Sequence, residues 1–302
     1  MPKVRGLQQI KRRLAGVGQL PTLPEVAVQV MRLARSSKSS MRDIADIVSK
    51  DPPMTAKVLK VANSVYYGLS QKVSALQHAL AVLGLREVRN IVAGMGVMEA
   101  FPETAGGCCF DRACFWEHSA ACAAVASHIA ESMRFDVGGE AYVAGLLHDI
   151  GILVLDQFFH EDYQEVWDAL PDAGSIIEAE ARVLDATHAQ IGALLAVWWQ
   201  MHPSTVEVIL QHHMPERASR YPVLADIVSV ADAMCCACGV ALPGDREELE
   251  LWSSPSWLRL KEKAPALGQL DLSAFARDID DRIQRARTLM AQPSERSMEL
   301  LM

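Results

Sequence analysis

Seven residues are of the kinds that bind divalent transition metals: His118, the adjacent pair His148-Asp149, His188, the pair His212-His213, and Asp232. Imidazole offers a neutral nitrogen donor and carboxylate cancels cation charge, so a bundle that turned these side chains inward could hold one or two ions. Each lies on or at the end of a separate predicted helix. Neighbouring side chains on a regular helix diverge by about 100°, so His148 and Asp149 can share an ion only where their helix stops. Gly151 suggests such a stop. Spacing alone leaves open whether the seven converge or are scattered over helix faces. His78, His128, His160 and His202 read as ordinary core or surface groups.

The elements that must position these residues are helical. Apolar residues recur at helical spacing nearly throughout, as in Ile44, Ile47, Val48 and then Val58, Leu59, Ala62, while alternating strand patterns and Asn-Gly hairpin signals are missing. The chain therefore reads as all-α, a multi-helix bundle. Ser40 with Asp43, Asp51 with Pro52, and Ser74 mark helix starts, and Gly84 marks an end. Long helices are predicted near 110–133 and 140–148, with an amphipathic stretch from Ser273 to Met290. Pro102, Gly106 and Gly107 break the periodicity. This divides the chain into an N-terminal helical subdomain (1–105), a helical core (106–240) and a C-terminal extension with a frayed tail (241–302).

Charge supports the same division. The 302 residues carry a net charge of −8, yet residues 1–100 hold 15 Lys+Arg against 6 Asp+Glu, a balance of +9, and the remainder balances at −17. Between Asp111 and Val240 stand five arginines, no lysine and 19 acids. Such a segment repels phosphate unless a cation intervenes. Half of the residues are apolar, which excludes a disordered or fibrous chain. Seven cysteines without zinc spacing, together with a start lacking an apolar leader, indicate a reducing cytoplasm. The longest uncharged run, Ala186 to Val206, is too polar to span a membrane. The basic residues Lys11, Arg12, Arg13, Arg32, Arg35, Lys38 and Arg42 are not interleaved with aromatics, so DNA is not the expected partner. Trp198-Trp199 is expected to be core plus a half-exposed edge. Tyr66-Tyr67-Gly68 is expected to close a helix.

The segment GLLHDIG resembles the motif of the HD superfamily of metal-dependent phosphohydrolases, with His118, His148-Asp149 and Asp232 in its H…HD…D order. LPTLPEVAVQVM (20–31), IADIVSKDPPMTAKVLKVANSVYYG (44–68), VSALQHALAVLGLREVRNIV (73–92) and HAQIGALLAVWW (188–199) resemble the HD-related output domain, HDOD. The resemblance runs from about Leu14 to Asp232. It implies an HD-like helical core with its N-terminal subdomain, and a bacterial signalling module in a family that has largely lost its metal ligands. Against the cyclic-di-GMP-hydrolysing HD-GYP relatives, His118, His148, Asp149, His188, His212, His213 and Asp232 fall at ligand positions, which implies a mono- or binuclear site for Fe, Mn, Zn or Ni.

The departures concern phosphate. Where HD-GYP relatives read HDIGK, Ile152 follows Gly151; where some carry a further metal-binding glutamate, Cys114 stands; and only Tyr221 and Pro222 remain near the GYP segment. Phosphodiester cleavage needs an activated water and cations that neutralise charge building on phosphoryl oxygens. Arg182, Arg217 and Arg220 are the nearby cations in sequence and read as solvated. One lost charge-assisted phosphate contact costs on the order of 1.5–3 kcal/mol. The expected function is therefore a signal-transduction module with an HD-type metal site, acting mainly through a small ligand or a protein partner with little or no catalysis. No residue is assigned a catalytic role. The alternative is a metal-dependent phosphohydrolase acting on a cyclic dinucleotide or nucleotide.

Overall fold

The structure, a computed structural model, describes residues 5–16, 20–33, 40–63, 72–102, 110–135, 137–244, 251–264 and 272–290. Among these residues there are helices and no strand, as the apolar spacing predicts. The 105/106 boundary, Cys108, Cys109, Arg35, Lys38, Tyr66, Tyr67, Gly68 and the tail from residue 291 lie outside the described residues. None of the five described cysteines forms a disulfide.

The first helices are α1 (Leu7–Gly16), α2 (Glu25–Leu33), α3 (Met41–Val48), α4 (Pro52–Ala62), α5 (Leu76–Leu83) and α6 (Leu85–Ala100). Ser40 and Asp43 close a reciprocal capping box on α3, and Asp51 caps α4 ahead of Pro52. α5 starts one residue later than Ser74 predicts. Ala75 holds its cap position, where no side-chain bond forms, and Leu76 begins the buried face. Gly84, at φ +83°, ends α5 and turns the chain directly into α6.

The helices that follow are α7 (Arg112–Ser132), α8 (Gly138–Leu147), α9 (Ile150–Phe158), α10 (His160–Ala173), α11 (Ile176–Leu184), α12 (His188–Trp198), α13 (Pro203–Gln211), α14 (Pro222–Ala237), α15 (Pro255–Lys263) and α16 (Leu272–Met290). From His118 to Ala130, α7 is buried on nearly every face, because its alanines and small residues admit close neighbours on all sides. Ile10 and Leu14 of α1 pack into the cluster that contains Leu153 and Ile191, and Phe275, Ile279 and Ile283 of α16 join the cluster of α7 and α14.

The two central polar residues fall where α8 gives way to α9. α8 ends at Leu147, His148 and Asp149 form the joint, and α9 resumes at Ile150. The break exists, but Gly151 lies inside α9, past the break, and not at a helix end. A Cβ at Gly151 would stand 2.0 Å from the His188 carbonyl oxygen, so glycine is required there to seat α9 on the start of α12. At Gly145 a Cβ would come within 2.9 Å of Ala123 Cα, which seats α8 on α7. Leu146, Leu147, Ile150 and Leu153 are buried on either side of the joint. At about 1.5–3 kcal/mol each, their burial offsets the several kcal/mol that sequestering an ionised group costs.

Glu140–Phe158 is long and apolar enough to cross a membrane, yet 78% of its most apolar stretch is buried within the bundle. It reads as the core of the fold. Trp199 is buried, its Nε1 donating to the Pro21 carbonyl at 2.7 Å, whereas Trp198 is 62% exposed.

Candidate metal centre

The fold brings all seven predicted residues into one cluster. His118 comes from the second turn of α7, Asp232 from α14, and His148-Asp149 from the α8–α9 joint; His188 opens α12, and His212-His213 follow α13. They form two groups. His118, His148 and Asp232 supply donor atoms that all lie within 4.8 Å of one another, and so do Asp149, His188, His212 and His213. Asp149 faces both groups. Its Oδ2 is 3.3 Å from His148 Nε2 and 3.7 Å from His118 Nε2, while its Oδ1 is 3.1 Å from His188 Nε2 and 3.3 Å from His212 Nε2.

The local chain explains why the rings point inward. His148 Nδ1 lies 2.7 Å from the Gly145 carbonyl and His212 Nδ1 lies 2.8 Å from the Ile209 carbonyl. Both carbonyls belong to the last turn of a helix, where backbone oxygens lack helical partners. His118 Nδ1 is 2.8 Å from the Val240 carbonyl, in the segment beyond α14. Carbonyl oxygens only accept, so in these three rings Nδ1 carries the hydrogen and Nε2 presents a lone pair to the centre. His188 Nδ1 and backbone N–H both meet Glu180 Oε2, at 2.9 and 2.8 Å.

This arrangement fits a divalent cation. His118 and His148 bring their Nε2 atoms to 3.3 Å, His188 and His212 to 3.4 Å, and His188 and His213 to 3.0 Å. Lone pairs at such distances repel unless a proton or a metal ion stands between them. Asp149 Oδ1 is buried and accepts no hydrogen bond in spite of its two neighbouring rings. A buried carboxylate oxygen and converging imidazole nitrogens form a donor set suited to an intermediate transition ion.

Burial would press the His148 ring down, but the Asp149 carboxylate more than offsets it and lifts the ring to about 9. Burial likewise opposes Glu180 and Asp149 at His188, which they raise to about 10. His212 is lowered by burial. Burial pushes Asp149 and Asp232 up, yet the rings prevail. His148 holds Asp149 well below the usual carboxylate range, and the bond from His118 helps to hold Asp232 at about 2. A metal ion entering this centre would displace ring protons.

Glu180 was not among the predicted residues. It is fully buried in α11, and its Oε1 accepts from the Tyr163 hydroxyl at 2.9 Å. The signal was present: Glu180 stands four residues after Ile176 and four before Leu184, a carboxylate on an apolar face. Cys114 is exposed, and Ile152 lies buried in the apolar core. Arg112 is held by the Pro102 carbonyl and Asp156, Arg182 is exposed and bonded to the Ala169 carbonyl, and Arg217 and Arg220 are exposed. The other four histidines stand apart: His78 is exposed, His128 stacks on Phe275, His160 meets Asp156, and His202 caps α13.

A family model described as the HDOD domain matches residues 20–215. The crystal structure of an HDOD domain protein of unknown function from Geobacter sulfurreducens is 26% identical, with a TM-score of 0.80 over 93% of this chain and 96% of that one. A protein from Marinobacter aquaeolei VT8, provisionally named a signal transduction protein, is 25% identical with a TM-score of 0.72. That match covers 96% of this chain and 61% of the other. An uncharacterized protein of Treponema pallidum (strain Nichols) is 24% identical over 223 residues, 72% of this chain. The match spans 42% of that relative's length.

Proposed function

The chain belongs to the HDOD domain family, and from that premise we propose that it is a bacterial signal-transduction module which binds one or two divalent transition ions and acts through a small ligand or protein partner, with little or no catalysis. In this reading His118, His148 and Asp232 hold one ion, His188, His212 and His213 hold the other, and Asp149 serves both. One observation carries the preference for binding over catalysis. Ile152, buried and apolar, occupies the position that follows HDIG, where HD-GYP relatives hold substrate phosphate with lysine.

The alternative, a metal-dependent phosphohydrolase, is favoured by the placement of Asp149 between the two groups. Bound ions would supply Lewis-acid polarisation of phosphoryl oxygens. This chain's residues would fix the ring tautomers through Gly145, Ile209 and Val240.

The two readings separate in one series. Protein purified without chelator is analysed for Fe, Mn, Zn and Ni, then incubated with cyclic-di-GMP and a nucleotide panel. Bound metal without turnover is the expected result. Turnover abolished by Asp149→Ala would establish the hydrolase instead, and failure to load any metal would remove the basis of both readings.

A further inference from the structure

α8, α12 and α13 each run from the ion centre to a second place in the molecule. Their far ends meet α2 around a cleft that opens to solvent. Leu23, Met31, Val143, Met201 and Trp199 contribute to its lining. Apart from Trp199, the apolar part of the wall is aliphatic and thioether. That suits an aliphatic side chain better than a nucleobase, which would call for exposed aromatic faces.

Two opposite charges share this cleft without meeting. Arg32 is exposed, and among the described residues it makes no hydrogen bond or ion pair. The Glu140 carboxylate is about three-quarters buried and held in place: its Oε2 accepts from the Ser204 hydroxyl at 2.7 Å, and its Oε1 lies 3.8 Å from His202 Nδ1. Gln200 also lines the cleft, at φ +53°. It occupies the left-handed position after α12, where glycine or asparagine is usual. The strained backbone brings an amide to the cleft.

We propose that the cleft binds a small apolar α-amino acid, its carboxylate on Arg32, its ammonium on Glu140 and its side chain against Met31, Val143 and Met201. The occupant alters the ion centre through the three helices. Glu140 and His148 stand at opposite ends of α8, His188 and Trp199 bracket α12, and His202 and His212 bracket α13. Each path is a single rod of about 12–16 Å. Closing α2 onto one set of helix ends therefore shifts the ligating ends together. The inference rests on the reading of the chain as a ligand-responsive module and names the ligand class.

Isothermal titration of the full chain with L-leucine and L-methionine tests the cleft, in chelated and in metal-loaded protein. Saturable binding is expected in both. Leucinol, without the carboxylate, and 4-methylpentanoate, without the ammonium, should each bind at least about tenfold more weakly, and Arg32→Ala should cost about ten- to a hundredfold. Arg32 is exposed, so this variant keeps the fold where Glu140→Gln could disturb Ser204. No binding at millimolar concentration, or equal binding by Arg32→Ala, overturns the site. In metal-loaded protein the amino acid should change ion affinity about fivefold or more. An unchanged ion affinity overturns the coupling. Because the chelated arm needs no ion, failure of the metal reading leaves the cleft result separately readable.

Discussion

Between α2 and α6 the shared apolar cluster is built entirely of aliphatic and methionine side chains, among them Val30, Ile44, Val48, Met54, Val58, Leu80 and Val92. In the helices from α7 to α14 the equivalent interior holds His118, His148, Asp149, Glu180, His188 and His212, each with little or no exposure. In α3 and α4 the local rules agree with one another, apolar period with cap and first-turn residues. The ion-centre helices break the burial rule repeatedly, and each breach faces another across one small volume. A protein retains such a cost where the polar groups act together. The contrast separates a region kept for its packing from one kept for its chemistry.

The contrast is broken most completely at Asp149. With its two oxygens facing different groups, Asp149→Ala should reduce bound metal to less than about a tenth of the wild-type content, whereas Asp232→Ala should spare the His188 group. Elemental analysis of purified protein reads both. Retention of one full equivalent by Asp149→Ala would show that the carboxylate does not serve both groups.

Acidity provides the next largest effect. His148 and His188, lifted to about 9 and about 10, must each give up a proton to bind metal. Ion affinity should therefore rise steeply with pH, up to about a hundredfold per unit below pH 9. The chelated protein should show the reverse trend. Both rings have folded values above the unfolded one near 6.5, so their stabilisation is complete below pH 6.5 and is lost as pH climbs through 9 to 10. Parallel trends in metal binding and chelated melting temperature would contradict the assignment of these two rings.

What could be read from the residues follows the same contrast. In α3 and α4 the caps Ser40 and Asp51 declare themselves, because a cap acts on the three residues that follow it. Ser74 failed as a cap because burial of Leu76 decides where α5 begins, and burial is set by distant helices. The seven ligand-type residues were nameable from their types and from the HDOD resemblance. Their convergence was not, since it depends on close approaches at Gly145 and Gly151 that join separate helices. Gly151 is ambiguous in the sequence, because a missing side chain fits a turn and a tight contact equally well, and here it is the contact with α12 that requires it. Glu180 was overlooked because it belongs to no motif and reaches the centre only through His188.

Glu180 therefore sharpens the comparison at a finer scale. Glu180→Gln preserves shape and an acceptor oxygen while removing charge behind His188. Outer partners of ligating histidines are worth about ten- to a hundredfold in metal affinity, so the His188 group should weaken by that amount while the His118 group, backed by Val240 and Gly145, holds its ion. Competition titration with a chromophoric chelator resolves the two. Equal weakening of both groups would mean that Glu180 supports the fold in general and not one half of the centre.

The smallest effect tests the other side of the contrast. Ser40→Ala removes a cap whose hydroxyl accepts from the Asp43 N–H at 3.2 Å and donates to the Asp43 carboxylate at 2.8 Å, far along the chain from any ligand. The loss should lower the melting temperature by on the order of 2–4 °C. Metal content and its pH dependence should not move, because α3 contributes to the aliphatic cluster alone. A change in metal affinity from Ser40→Ala would mean that the N-terminal helices transmit strain to the ion centre. That coupling would pass through α2, which packs on α3 and lines the cleft with Met31, or through α6, which packs on both α3 and α8.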